Sequence, residues 1–360
     1  MKFKTKTSPF LNSSQNINSV MLQVLLALIP GTLTLMYFFG TGILLNVIIS
    51  IVFAVSLETL ALIIRKRPLL PFLSDLSAIV TAWLFALTLP PLMPWWIIFV
   101  GIFFAIIIAK HLYGGLGYNP FNPAMVGFAV LIVSFPFEMS QWVHPRTFGD
   151  LGAYDFSLME KLSFIFGDQK PAWDAITMAT PLDEVKTGLR AGTDFSSVMR
   201  ESSYLQTFSQ NTWMWSSLAF MLGGIWLLYK KVIQWQIPVA LLGTLFLLSA
   251  VFYLFSADSF ASPLFHITSG ATILGAFFIA TDPVSASTTP VGKLIYGASI
   301  GFFIYIIRVW GNYPDAIAFA VLIMNMAVPM IDYYTQPRVF GHKPSFFSSG
   351  ATQRKQDKKL

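Results

Sequence analysis

The sequence predicts an all-α polytopic membrane protein with about ten transmembrane helices in two inverted five-helix repeats and one long extracytoplasmic loop. Three observations carry this reading. Of the 360 residues, 55% are hydrophobic and 11% are charged, against roughly 25% charged in an average soluble domain. Apolar runs of bilayer length recur along the chain, and its basic residues gather beside alternate ends of those runs. Cysteine is absent, so the chain supplies no thiolate for an iron–sulfur cluster, no disulfide and no cysteine nucleophile. Redox chemistry here calls for a bound organic group. The formal charge of +6 arises from 23 basic residues scattered in short clusters, which is the distribution of a topology signal and not of a nucleic-acid binder.

Crossing a hydrocarbon core of about 30 Å takes roughly 20 helical residues. Lys2, Lys4 and Lys6 precede the first run, 20–39, which has no small-residue cleavage site after Phe39 and reads as an uncleaved span. Full spans follow at 42–64, 94–110, 212–229, 236–255, 292–309 and 315–333. The runs 75–90, 123–136 and 269–282 are shorter and bounded by proline or glycine, as short, tilted or re-entrant helices are. With the N-terminus inside, ten spans place Arg65-Lys66-Arg67, Lys110, Lys230, Lys231, Lys293, Arg338, Lys343 and Lys358-Lys359 on the cytoplasmic side, as the positive-inside rule requires. Arg308 is the basic residue of the short outer loops, and Lys110 and His111 read as charge anchors. The segment 137–211 holds ten of the 17 acidic residues, is too polar to span, and lands outside. No zinc-spaced His/Asp/Glu cluster, dinucleotide fingerprint or P-loop occurs.

Internal similarity divides the chain. Phe128-Ala129-Val130-Leu131-Ile132 recurs as Phe319-Ala320-Val321-Leu322-Ile323, Gly117-Tyr118-Asn119-Pro120 is echoed by Gly311-Asn312-Tyr313-Pro314, and Thr88-Leu89-Pro90 by Thr281-Asp282-Pro283. Three pairs in one order at nearly constant offset imply two five-helix halves. Because five is odd, the second half enters from the opposite face, an arrangement that places sites near the midplane between halves. The domain plan is a first repeat at 1–136, the extracytoplasmic loop at 137–211, a second repeat at 212–335 and a basic cytoplasmic tail at 336–360.

The outer loop contains Asp174-Ala175-Ile176-Thr177-Met178-Ala179-Thr180-Pro181. This resembles the flavinylation motif, an aspartate followed by Ser/Thr-x-Ala-Thr, of the Rnf and Na⁺-pumping quinone reductase complexes. Gly114 to Met125 and Gly275 to Ser285 also resemble signature stretches of the RnfD family of membrane subunits, which is related to the corresponding membrane subunit of the Na⁺-pumping NADH:quinone reductase. The likeness covers nearly the whole chain. It implies FMN joined to Thr180 by a phosphoester, with Asp174 and Thr177 completing the motif, and riboflavin as a second, non-covalent flavin. It also implies a bacterial inner-membrane complex with iron–sulfur subunits and a second covalent-flavin subunit, a flavin transferase for maturation, and electron transfer between ferredoxin and NAD coupled to movement of Na⁺ or H⁺.

Ser269-Gly270-Ala271-Thr272 copies the motif core more closely, but it opens an apolar helix and has His266 where the motif wants an acid. A phosphodiester there is costly, and small residues at that spacing let helices pack closely. Asn119, Asn122 and Ser285 lie in Gly/Pro-rich cytoplasmic segments and are expected either to bond the non-covalent flavin or to satisfy broken helix ends. Glu58, Asp75, Asp282, Asp315 and Asp332 lie in or beside spans, where acids often mark ion paths. Asp75 and Asp315 precede apolar runs as caps do and Asp332 lies near a helix end, in reach of water, which leaves Glu58 and Asp282 as the ion-path residues. The competing reading is a channel or secondary transporter of urea-transporter-like architecture without a redox cofactor. A simple channel has no need of a polar loop carrying an aspartate-led flavinylation pattern.

Overall fold

The computed structural model describes residues 16–146, 156–167, 176–201, 212–313 and 315–336. Asp174 and the basic residues Lys2, Lys4, Lys6, Arg338, Lys343, Lys358 and Lys359 lie outside them. The long apolar runs become α1 (Ile17–Phe39) and α2 (Gly42–Ile64), separated by Gly40, whose φ of 79° reverses the chain. A single turn, α3 (Leu69–Leu73), leads to α4 (Ser77–Ala86), then α5 (Trp95–Phe103), which continues as a π-helix over Phe104–His111, and α6 (Pro123–Ser134). Glycines Gly114, Gly115 and Gly117, all at positive φ, carry the turn between the last two.

The segment expected as a loop folds into short elements: α7 (Pro136–Ser140), β1 (Trp142–Val143), α8 (Leu158–Phe166), β2 (Thr177–Met178), α9 (Pro181–Arg190) and α10 (Phe195–Glu201). The second half comprises α11 (Thr212–Tyr229), α12 (Gln236–Phe255), α13 (Pro263–Thr268), α14 (Thr272–Leu274) with a π-helical continuation over Gly275–Ile279, α15 (Pro290–Trp310) and α16 (Ile317–Tyr334).

A helix thus occupies each of the ten apolar runs, but their lengths differ in kind. Five, namely α1, α2, α12, α15 and α16, are long and apolar enough to cross a membrane. The run at 94–110 is helical over 17 residues. α11 carries Thr212, Ser216 and Ser217 and is not among the five. α4 has 10 residues, about 15 Å of helix, half of a hydrocarbon core. Thr88-Leu89-Pro90 follows the end of α4, and Thr281-Asp282-Pro283 follows the end of the α14 segment, so the repeated tripeptides both terminate short helices.

The halves interlock. α1 packs along α11, and α16 along α6. The first contact is close enough that a Cβ on Gly223 would lie 2.0 Å from the Ala27 carbonyl oxygen. One apolar core runs through both halves, from Leu28 and Ile43 to Ile300 and Val321. A second, small core of Leu182, Val185, Phe195, Val198, Ala261 and Phe265 holds α9 and α10 against α13.

Two sequence expectations are corrected. Lys110 is no interfacial anchor: it is 2% exposed, with its ammonium 2.7 Å from Glu58. Arg308 is not a loop residue but a buried one in α15, 4% exposed. A cation at the end of an apolar run resembles an anchor until its partners are known, and here Glu58 of α2 and the His266 carbonyl of α13 come from distant helices.

Candidate functional site

β1 and β2 pair antiparallel, Trp142 with Met178 and Val143 with Thr177. This fixes Thr177 in the strand and delivers Thr180, two residues beyond the strand's end, to the start of α9. Thr180 is the N-cap, with extended backbone, and Pro181 stands at the first helical position, where its missing N–H costs nothing. The Thr180 hydroxyl accepts the Asp183 backbone N–H at 3.3 Å and donates to Asp183 Oδ2 at 2.9 Å. Asp183 and Glu184 in the first turn and Arg190 in the last complement the helix dipole.

Cations fasten α9 to the end of α15. Lys186 Nζ donates to the Tyr313 carbonyl at 2.7 Å, and Arg190 Nη2 to that of Gly311 at 2.7 Å, supplying donors where a helix end leaves carbonyls orphaned. Burial pushes the Lys186 ammonium down to about 8, helped by the Arg190 and Arg308 charges and opposed by Asp183. Burial pushes the Asp183 carboxyl above the usual carboxylate range, against the pull of the Thr180 hydrogen bond and the Lys186 charge, with Asp315 adding to the rise.

Thr180 and Asp183 line a cavity of about 1040 Å³, counted out to its open mouth, that runs between the halves. Its walls are mostly apolar and aromatic: Trp142 and Trp213, with ring centroids 5.1 Å apart, then Met125, Phe128, Phe220 and Leu274. Ser216, Ser217 and Asp315 add polar points. Thr272 has a different setting. It is fully buried, and its hydroxyl donates to the His266 and Ser269 carbonyls and accepts from Arg308 Nη2 at 2.8 Å. That oxygen is held by three neighbours, whereas Thr180 is half-buried beside exposed Ala179.

A second cavity, about 860 Å³ when likewise counted out to its open mouth, is lined by Asn119, Asn122, Lys110, Thr281, Asp282 and Phe277, among others. Neighbouring residues of α6 and of the α14 segment line both cavities and form the wall between them. Met125 and Ile279 face the first, while Asn122, Phe277 and Phe278 face the second. Asn122 ties the wall together: its Oδ1 caps α6 through the Met125 N–H at 3.2 Å, and its Nδ2 donates to the Ile279 carbonyl at 3.2 Å. Asn122 therefore satisfies helix ends. Asn119 does so only in part: Nδ2 donates to the Phe121 carbonyl, while its buried Oδ1 has no partner among the described residues.

The remaining acids divide by environment. Ser285 stands behind Asp282, donating from its hydroxyl to Oδ2 at 2.7 Å. Glu58 stands behind Lys110, which it holds in a buried ion pair and which also donates to Ser77 at 2.8 Å. Asp75 caps the start of α4 through the Ser77 N–H at 2.7 Å, and Asp315 accepts from Ala271 N and lies 3.5 Å from Arg308. Asp332 accepts from Ser287 and from the Thr288 N–H and hydroxyl. Sequence reasoning missed the pairing of Thr180 with Asp183, although Thr-Pro-Leu-Asp carries the spacing of a helix cap with an acid three residues on. It also missed Trp142 and Trp213, which no local pattern brings together.

A family model described as the NQR2, RnfD, RnfE family matches residues 4–341. A relative from Vibrio vulnificus (strain YJ016), named as the D subunit of an ion-translocating oxidoreductase complex, is 49% identical over 356 residues, covering 95% of this chain and 100% of that one. Relatives of the same name from Aliivibrio salmonicida (strain LFI1238) and Citrobacter koseri are 48% and 46% identical, each over 95% of this chain and over 99% and 100% of their own.

Proposed function

As the chain belongs to the NQR2, RnfD, RnfE family, we propose that it is the flavin-carrying membrane subunit of a bacterial complex that couples electron transfer between ferredoxin and NAD to the movement of Na⁺ or H⁺. It works as one subunit of that oxidoreductase and not alone. FMN is held on Thr180 by a phosphoester, and when bound it accepts and passes on electrons. The observation that carries this reading is the contrast between the two candidate threonines. Thr180 offers its hydroxyl at the wall of an aromatic-lined cavity, while Thr272 is buried with its oxygen held by three neighbours. The residues present fit the group: the start of α9 offers its positive dipole end to a phosphate, and Trp142 and Trp213 offer apolar faces that keep water from a planar ring.

Riboflavin occupies the second cavity in this reading, with the unpartnered Asn119 Oδ1 as an acceptor and Asn122 beside it; Ser285 acts through Asp282. Glu58 and Asp282 belong to the ion path, Asp282 on the cavity surface and Glu58 behind Lys110. The wall tied by Asn122 and Ile279 favours a relay between two compartments over an open channel of the urea-transporter kind. The partners are iron–sulfur subunits, which supply the clusters that a chain without cysteine cannot ligate through thiolates, a second covalent-flavin subunit, and a flavin transferase. Ten membrane crossings in two inverted repeats, in the inner membrane with both termini cytoplasmic and 137–211 periplasmic, follow from the basic clusters and the repeated tripeptides.

The test is in-gel flavin fluorescence after denaturing electrophoresis, with a flavin transferase co-expressed. Fluorescence present in the parent chain and in Thr272→Val but lost in Thr180→Val is the expected result. A parent chain that stays dark beside a working control overturns the covalent-flavin reading.

A further inference from the structure

The Thr180 hydroxyl does not face the cavity alone. Its proton points at Asp183 Oδ2, 2.9 Å away, while its oxygen accepts the Asp183 backbone N–H at 3.3 Å. One residue therefore both aims the oxygen and stands ready to take its proton. A threonine hydroxyl is a weak nucleophile at its free pKa and is ordinarily activated by an adjacent base within hydrogen-bond reach.

We propose that Asp183 is the base for esterification of Thr180, an inference that rests on Thr180 being the flavin-bearing residue. The Thr180 oxygen attacks phosphorus in the pyrophosphate of a flavin dinucleotide, the class of donor that can hand over a flavin monophosphoryl group. The new bond is Thr180 Oγ1 to phosphorus. The bond that breaks joins that phosphorus to the bridging oxygen, which departs with its electron pair as part of a nucleoside monophosphate. The hydroxyl proton passes to Asp183 Oδ2, and no oxidant or reductant is involved. The backbone N–H of Asp183 keeps its place opposite the oxygen throughout, so nucleophile and base stay in register on the first turn of α9.

The surroundings suit the role. The charged groups around Asp183 are Lys186 on its own helix and Asp315 ahead of α16, with Arg308 of α15 lying 3.5 Å from Asp315. Burial raises the carboxyl's affinity for a proton above that of an ordinary aspartate, which makes it a stronger base. The same two contacts cap α8, where the Ser157 hydroxyl donates to Glu160 at 2.9 Å and accepts the Glu160 N–H at 3.3 Å; what distinguishes Thr180 and Asp183 is that both line the cavity.

The experiment uses the full-length chain, made without a transferase so that it arrives unmodified, then mixed in detergent with purified flavin transferase and flavin adenine dinucleotide. The initial rate of flavin incorporation is read by in-gel fluorescence between pH 5 and 9. Asp183→Asn keeps the side-chain length and the backbone donor but cannot accept the proton, and it is expected to slow incorporation about 100-fold, at the low end of general-base contributions, and to flatten the acid limb of the pH profile. Asp183→Glu is expected to restore most of the rate with a displaced limb. This second variant carries the test if the asparagine chain does not fold: a Glu profile superimposable on the parent's overturns the proposal, as does an asparagine rate and profile equal to the parent's. Incorporation that persists in Thr180→Val is a separate result, overturning the Thr180 assignment itself.

Discussion

The Lys110 ammonium lies 2.7 Å from the Glu58 carboxylate, with 2% and 3% of the two side chains exposed. Ser77 completes the cluster at 2.8 Å from the ammonium, so α2, the start of α4 and the end of the α5 segment meet at one charge. Removing a single partner strands the other charge in a buried site, which costs about 3–5 kcal/mol. Lys110→Met and Glu58→Gln are each expected to lower the thermal unfolding midpoint of the detergent-solubilised chain strongly. The double substitution is expected to recover most of the loss, because no lone charge remains. A double variant as unstable as the two singles combined would show that the pair is not what holds these helices.

Arg308 performs a comparable task in the second half of the chain. Its Nη1 donates to the His266 carbonyl at 2.6 Å, and its Nη2 to Thr272 Oγ1 at 2.8 Å and the Ser269 carbonyl at 3.3 Å. Each hydrogen bond to a charged group contributes about 1.5–3 kcal/mol, and a planar fork reaches acceptors that a point charge cannot. Arg308→Gln is expected to destabilise the chain by about 3 kcal/mol or more, and Arg308→Lys by an intermediate amount. Chemical unfolding followed by tryptophan fluorescence reads both, and a lysine variant as stable as the parent would refute the fork argument.

These two cations also mark where the sequence stops being legible. Hydropathy locates the helices because each apolar run is a local property. Lys110 and Arg308 are misread because Glu58 is 52 residues from the one and the hydrogen-bond acceptor Thr272 is 36 from the other. The cap at Thr180 is legible in Thr-Pro-Leu-Asp, since its geometry is set within four residues. The cavity beneath it is not, being assembled from Trp142, Trp213 and Met125 on separate elements. Glu58 reads as a lone acid for the same reason that Lys110 reads as an anchor: an ionic pair looks like two unrelated charges until the helices are packed.

The α1–α11 contact makes a stability prediction that involves no charge. A Cβ on Gly223 would lie 2.0 Å from the Ala27 carbonyl oxygen, and backbone cannot give way as a side chain can. Gly223→Ala must push the helices apart, and such overpacking costs about 1–3 kcal/mol. The expected result is a lower unfolding midpoint, with Gly223→Val lower still. The matching change at Gly243, where nothing lies within 4 Å of the added carbon, is the control and is expected to leave the midpoint no lower. Equal midpoints for Gly223→Ala and Gly243→Ala would overturn the close-contact argument.

Lys186 gives the outer segment a pH dependence whose sign can be worked out. Its ammonium titrates at about 8 in the folded chain against 10.5 for a free lysine, chiefly because it is partly buried. Between those values the unfolded chain binds more protons than the folded one, and stability rises with pH wherever that is so. The cost of holding the charged form is thus fully present below about pH 8 and is relieved as the pH climbs toward 10.5. Proteolytic nicking within 176–201 is expected to slow over that window in the parent chain. In Lys186→Met the slope is expected to vanish, although loss of the bond to the Tyr313 carbonyl raises the nicking rate at every pH. A parent chain nicked faster at about pH 10 than at about pH 8, with the protease's own pH dependence subtracted on an unstructured substrate, would reverse the sign that linkage requires and discard the assignment.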